Sequence, residues 1–503
     1  MPDPSSAPHG LALCRTLWLV VAWPLAGLAW QVLVARPRIA RSRDANAVLR
    51  RLAEARVAGI GCVGLAAVAV AGHVLLVRRV PGGHGTLIEP FVRAVPLGPF
   101  DPGAGLLFDT RAMMACGLAC IVALSGAVVL AQRSPPDRGW RPWAWLHLAL
   151  AGALLSFLAD GFVTAACGWS LVIGAASWLA GWNEARAGVA VATRGAVALL
   201  ALVLGGALLF SGLSASPAGP TLSFHAVADD LALLDGAGAP AVRRALEDQV
   251  APGGVALMAA VLLALLGAAG SLGAASPALG SPRTLSAVAA GATTSAVGPF
   301  LLVRLAPLLP SVQHAGLMVA SVGAAIVLGA VWNALGSTGM RRWLTFAAGA
   351  PSGLTFVALG SGGVVPAMGV LVASGGVTAF VLLVATRAGV DGDAEGAGEP
   401  PQEDEGLLVR LPARLGAMFV SMERWVVGAA TAAVGGAVRV VAWTAATVDR
   451  EAIAVPGNVA ATGLSRASGM LVPLFGVSRA SLAWSLLAVA ALAAFLHALW
   501  AGG

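Results

Sequence analysis

Six ionisable side chains stand out within or beside the apolar runs of this sequence. Asp109, Asp160 and Arg304 stand at the edges of such runs, and His73, His147 and His497 lie inside them. An ionisable group in hydrocarbon is costly, so it commonly marks an ion path or a proton relay. Imidazole suits a relay because its ordinary pKa lies near neutrality. Each group also has a structural reading. A carboxylate or guanidinium at a helix end can snorkel to the interface or hold it together, and that is the preferred reading for Asp109, Asp160 and Arg304. A lone histidine can bond a backbone carbonyl, which is the preferred reading for the three imidazoles. Cys116 and Cys120 share one helix face, but two thiols alone do not make a metal site. Packing is expected of them, as of Cys14, Cys62 and Cys167. The Gly-Ser-Gly-Gly run at 360–363 follows an apolar helix rather than a strand, so it is not a phosphate loop. No catalytic residue, cofactor or metal is expected.

The elements that must hold these groups follow from composition. The 503 residues are 58% hydrophobic and 11% charged, which excludes an ordinary soluble globule and indicates a polytopic membrane protein. The 64 glycines suit helices that approach closely in lipid. All 31 basic residues are arginine, which removes lysine, the cation whose pKa shifts most readily on burial. The net charge of +7 comes from arginines in short loops between apolar runs, so it reads as topology and not as nucleic-acid binding. The opening residues lack a basic stretch and a cleavage-like site and do not read as a signal peptide. Trp140, Trp143 and Trp145 read as an interfacial belt.

Apolar runs of spanning length lie near 11–35, 57–77, 110–131, 143–160, 162–182, 195–213, 253–273, 285–308, 315–335, 343–361 and 364–386, and a last one covers 481–500. They predict an all-α protein of about twelve transmembrane helices. The loop 36–56 carries Arg36, Arg38, Arg41, Arg43, Arg50, Arg51 and Arg56, which places it inside and the N-terminus outside. Residues 1–109 form two helices and an outer, hairpin-like loop, and 110–386 form the helical core. Residues 214–252 read as short amphipathic surface helices. An acidic, Pro/Gly-rich linker spans 387–406, with its charges from 391 onward, and residues 407–480 and 481–503 make a lateral segment and a terminal anchor.

In the lateral segment Arg410, Arg414, Arg424, Arg439 and Arg450 fall within an arc of about 80° on a helical wheel. A helix with one arginine stripe on a Val/Ala/Trp surface lies along a membrane more readily than through it. The alternative, that 425–446 spans the bilayer with Arg439 inside, stays open.

The segment "LADGFVTAACGWSLVIGAASWLAGW" (158–182) resembles the signature helix pair of the antiporter-like membrane subunits of respiratory complex I and of multisubunit cation/proton antiporters. "GSPRTLSAVAAGATTSAVGPFLLVRLAPLL" (280–309) is similar to that family's eighth helix, and "GMRRWLTFAAGAPSGLTFVALG" (339–360) to its tenth. The arginine-striped segment and single terminal span resemble the lateral helix and anchor of complex I subunit L. The resemblance implies a bacterial inner-membrane chain beside other membrane-arm subunits. It also implies a proton channel of two inverted five-helix repeats with buried ionisable residues at the midplane.

The chain departs from that pattern where the family's proton path should run. The glutamate of the family's Gly-Trp-Glu is Ser170, the lysine of its seventh helix falls at Ser271, and the histidine of its eighth is Ala290. Its Asp-Ile-Lys-Arg is Gly339, Met340, Arg341 and Arg342, and two histidines and a lysine of its eleventh helix are Val370, Ser374 and Thr378. The twelfth to fourteenth helices are missing, so the second repeat is incomplete. Ser, Thr and Ala hold no charge, and arginine stays protonated. The resemblance then implies a degenerate, architectural subunit of a complex I-type NADH:quinone oxidoreductase. Two alternatives remain: a subunit still conducting protons or cations through water, Asp160 and the histidines, or the membrane partner of an inorganic-carbon uptake complex.

Overall fold

The computed structural model describes residues 11–42, 44–79, 86–90, 104–133, 140–180, 185–213, 223–224, 295–306, 309, 315–335 and 339–387. Strand β1 (Leu11–Leu13) leads into α1 (Trp18–Ala29), a π-helical turn (Trp30–Ala35) and α2 (Arg36–Arg41). Next come α3 (Ala45–Arg79), β2 (Thr86–Pro90) and β3 (Gly105–Phe108). The helices α4 (Thr110–Arg133), α5 (Arg141–Phe157), α6 (Phe162–Ala180) and α7 (Ala185–Leu213) follow. Beyond them are α8 (Val297–Arg304), α9 (Ala315–Leu335), α10 (Gly339–Gly360) and α11 (Val364–Arg387).

Three helical stretches among the described residues are long and apolar enough to cross a membrane: Trp18–Arg41, Ala45–Arg79 and Thr110–Val128, of 24, 35 and 19 residues. Shorter apolar helices run over Phe162–Trp178, Val191–Ala207, Ala315–Val331, Ala350–Gly360 and Val364–Gly376. The outer faces of the first two stretches are apolar and open, with Leu33 66%, Val57 71% and Val68 67% exposed. In water such a surface would aggregate; in a bilayer it faces lipid tails.

Helix α1 packs antiparallel on α5, and α3 rests on both α1 and α4. Helices α5, α6 and α7 pack in series, α9, α10 and α11 do likewise, and α11 returns to α4. The core between them is dominated by Trp143, Trp169, Phe108, Phe157, Phe300 and Phe356, all fully buried.

The structure revises several helix bounds read from sequence and fills in the hairpin-like loop. The run expected to start a helix at residue 11 opens instead with β1, which pairs parallel with β2, Leu11 opposite Thr86. β2 pairs antiparallel with β3, Leu87 opposite Phe108, inside the segment expected as a hairpin-like loop. The expected loop 36–56 is mostly helix, because Arg, Ala, Leu and Glu are good helix formers and carry α2 and α3 beyond the apolar stretch. On α3, Arg51 bonds both carboxylate oxygens of Glu54 at 2.8 Å, one turn on. For the same reason α7 begins at Ala185 and absorbs Arg186 and Arg194.

Small residues set the closest helix crossings. A Cβ on Gly316 would stand 2.6 Å from the Gly360 carbonyl oxygen, and one on Gly323 2.6 Å from that of Gly353. The reciprocal contacts are 2.4 and 2.7 Å, so α9 and α10 meet antiparallel through two glycine pairs, each pair partner seven residues from the next. Within a bilayer, where packing carries association, this approach lets the two backbones pack directly. Replacing Gly323 and Gly353 together by Ala forces the backbones apart and is expected to cost about 1–3 kcal/mol. Thermal unfolding of the purified variant in detergent checks this, and a melting point equal to that of the unaltered protein would contradict the close approach.

Candidate functional site

The charged residues singled out from sequence converge at one end of the bundle. Asp109 precedes α4, and its Oδ1 accepts the Ala112 N–H at 2.8 Å, which caps the helix and satisfies an otherwise orphaned donor. Its Oδ2 accepts from Arg304 Nη1 at 2.6 Å. Arg304 closes α8, where a cation complements the helix dipole. Its Nη2 donates to the carbonyl oxygens of Phe157 (3.2 Å) and Leu107 (3.4 Å). The Arg304 side chain is 3% exposed and the Asp109 side chain 22%. Arg304 Cζ also lies 5.2 Å from the Phe300 ring centroid, and that ring meets Phe157 edge-on at 4.9 Å. One guanidinium thereby ties the end of α8 to the start of α4, the end of β3 and the last turn of α5. Arg111 adds a further tie, donating to the Val303 carbonyl at 3.3 Å.

Asp160 lies in the link between α5 and α6, beside this cluster. Its N–H donates to the Gly105 carbonyl at 3.1 Å, and Leu107 N–H donates to Leu158 at 2.7 Å, so the link runs along β3 like a further strand. Ser223 Oγ donates to Asp160 Oδ2 at 3.2 Å, and the Phe224 N–H donates to the Asp160 carbonyl. Chemically, this end of the bundle is a fixed, hydrogen-bonded charge cluster. A guanidinium holds its proton and cannot pass it on.

The histidines are not part of this cluster. His73 Nδ1 lies 2.7 Å from the Ala69 carbonyl oxygen and therefore donates to it. Its Nε2 lies 3.1 Å from Thr16 Oγ1, a hydrogen bond that joins α3 to the start of α1. His147 is fully buried in α5, and neither ring nitrogen has a hydrogen-bond partner among the described residues. His497 lies outside the described residues.

The positions aligned with the family's proton path are scattered over α6, α10 and α11. The Ser170 hydroxyl donates to the Ala166 carbonyl at 2.8 Å and the Ser374 hydroxyl to Leu371 at 2.7 Å, both within their own helices. Val370 is half-buried on α11, which also carries Thr378, and Arg341 lies in the first turn of α10. Ser271, Ala290, the acidic linker, the arginine face of 407–453 and the terminal anchor lie outside the described residues, as does the segment 225–252. Cys116 and Cys120 are buried free thiols, and no group of three potential metal ligands occurs among the described residues.

Sequence reasoning missed Gln31. It is fully buried and donates through Nε2 to the Ala55 carbonyl at 2.8 Å. A single amide in the middle of an apolar run was the available signal, and a search restricted to ionisable groups passes over it.

No protein-family model matches the sequence, and no curated protein matches it. Solved structures do. The chain superposes on a chain of the membrane-bound sulfane sulfur reductase, an archaeal respiratory membrane complex, with a TM-score of 0.56 at 15% identity. It is likewise similar to a chain of the Mrp complex from Dietzia sp. DQ12-45-1b (TM-score 0.53, 17% identity). A third likeness is to a chain of respiratory complex I from Thermus thermophilus (TM-score 0.51, 18% identity). Each match covers 74% of this chain, and the chain spans 56%, 64% and 71% of the three neighbours. The chain shares its fold with chains of these three complexes.

Proposed function

We propose that this protein is an antiporter-like subunit of the membrane arm of a respiratory complex, similar to complex I subunit L, and that it has lost its proton path. The observation that carries the reading is the set of substitutions along the family's track. Ser170, Ser271, Ala290, Val370, Ser374 and Thr378 cannot titrate near neutral pH, and Arg341 does not release its proton. A path through about 30 Å of hydrocarbon needs water or titratable groups along its whole length. The charges that remain at this end of the bundle are tied into the structure: buried Arg304 pairs with the partly buried Asp109, and buried Asp160 accepts from Ser223. On this reading the chain has twelve spans with a truncated second repeat, an outside N-terminus and a bacterial inner-membrane location. Its function is architectural, and the segment 407–453 lies along neighbouring subunits as a clamp.

The experiment is purification of the tagged full chain from its native membrane in mild detergent. Other membrane-arm subunits are expected to accompany it in fixed proportion. Recovery of the chain alone, well folded and monodisperse, would overturn the assignment.

A further inference from the structure

Three helices each contribute a pair of residues one turn apart to a single seam: Gly27 and Gln31 on α1 and its π turn, Ala55 and Gly59 on α3, and Trp143 and His147 on α5. The pairs interlock. The His147 ring lies on Gly27, where a Cβ would approach it to 2.5 Å, and the Trp143 ring lies on Gly59, where a Cβ would approach it to 2.4 Å. Gln31 Nε2 reaches the Ala55 carbonyl at 2.8 Å. Because α1 and α5 run antiparallel, Gln31 stands at the level of Trp143, one turn from His147.

Every polar side chain of this seam is fully buried, yet four of its polar atoms have no partner among the described residues. They are Gln31 Oε1, Trp143 Nε1 and both ring nitrogens of His147. Buried polar atoms in native proteins are nearly always satisfied, and an orphan calls for a specific explanation. The set is balanced. The indole N–H and one imidazole N–H donate, while the amide oxygen and the other imidazole nitrogen accept. No carboxylate or fixed cation belongs to it, so it suits neither a hard cation, which wants several oxygen ligands, nor an anion. Gln31 sits in a π-helical turn, a distortion that recurs at functional sites.

We infer that the seam between α1, α3 and α5 is a hydration site, in which bound water bridges His147, Gln31 and Trp143. Water is the ligand whose two donors and two acceptors complement that set, and it binds buried polar groups in this way. The site lies apart from Ser170, Val370 and Ser374, on helices that carry none of those positions, and it stands whether or not the chain conducts ions.

The test is water-edited solid-state NMR on the full chain in lipid bilayers with nitrogen-15 histidine and tryptophan, the His147 resonance being assigned by its loss in His147→Asn. The expected result is that His147 and Trp143 nitrogens receive magnetisation from water at short mixing times although both are buried. Gln31→Leu should weaken that transfer at both. If the two rings stay dark while the exposed Trp18 and Trp30 indoles light up, the seam is dry and the inference is overturned. Should Gln31→Leu fail to fold, the unaltered protein alone decides.

Discussion

Replacing Asp109 by Asn is expected to destabilise the protein by about 3 kcal/mol, the lower end of what removing one partner of a buried ion pair costs. The side chain keeps its shape, and its amide oxygen can still cap the Ala112 N–H, so the change isolates the charge. What is lost is the partner of Arg304, whose side chain is 3% exposed and cannot swing out to water. The two backbone carbonyls it also reaches are dipoles and replace a carboxylate only in part. Removing the cation as well, in Asp109→Asn with Arg304→Met, leaves no unpaired charge and should recover a good part of the loss. Thermal unfolding in detergent of the single and double variants checks both statements. If the single variant melts with the unaltered protein, the pair is solvated and holds nothing together.

If 407–453 is the proposed clamp, reversing charge at Arg424, Arg439 and Arg450 together is expected to release the chain from neighbouring subunits. A helix of forty residues extends about 60 Å, enough to cross one or two neighbouring subunits. Each arginine near an anionic surface contributes about 1 kcal/mol, so single changes should be mild. Three reversals remove three attractions and add three repulsions. Co-purification in mild detergent measures the outcome, with circular dichroism reporting that the membrane body stays folded. Full association of the triple Glu variant would remove the clamp and favour the spanning alternative for 425–446.

Apolar length made much of the fold legible. The runs at 110–131, 143–160, 162–182, 315–335, 343–361 and 364–386 correspond to helices α4, α5, α6, α9, α10 and α11, whose bounds differ from them by a few residues. Helix ends at charged residues were less legible, because apolarity stops at Arg36 and resumes at Val57 whereas helical backbone extends through most of the arginines between. Strand β1 was hidden inside an apolar run, since three leucine- and alanine-type residues pair with β2 only through a contact more than seventy residues away. The ion pair was hidden for the same reason. Asp109 and Arg304 are separated by 195 positions, and each alone reads as an interfacial charge. The two glycine pairs between α9 and α10, and the orphaned atoms around His147, likewise belong to packing and not to any one stretch of sequence.

We propose that an antiporter-like scaffold persists here without its proton path. The most direct test is a proton-flux measurement on the full chain in sealed liposomes carrying a pH-sensitive dye and an imposed gradient. The gradient is expected to decay no faster than in protein-free vesicles. Flux above that background, abolished by Asp160→Ala or His147→Ala, would contradict it.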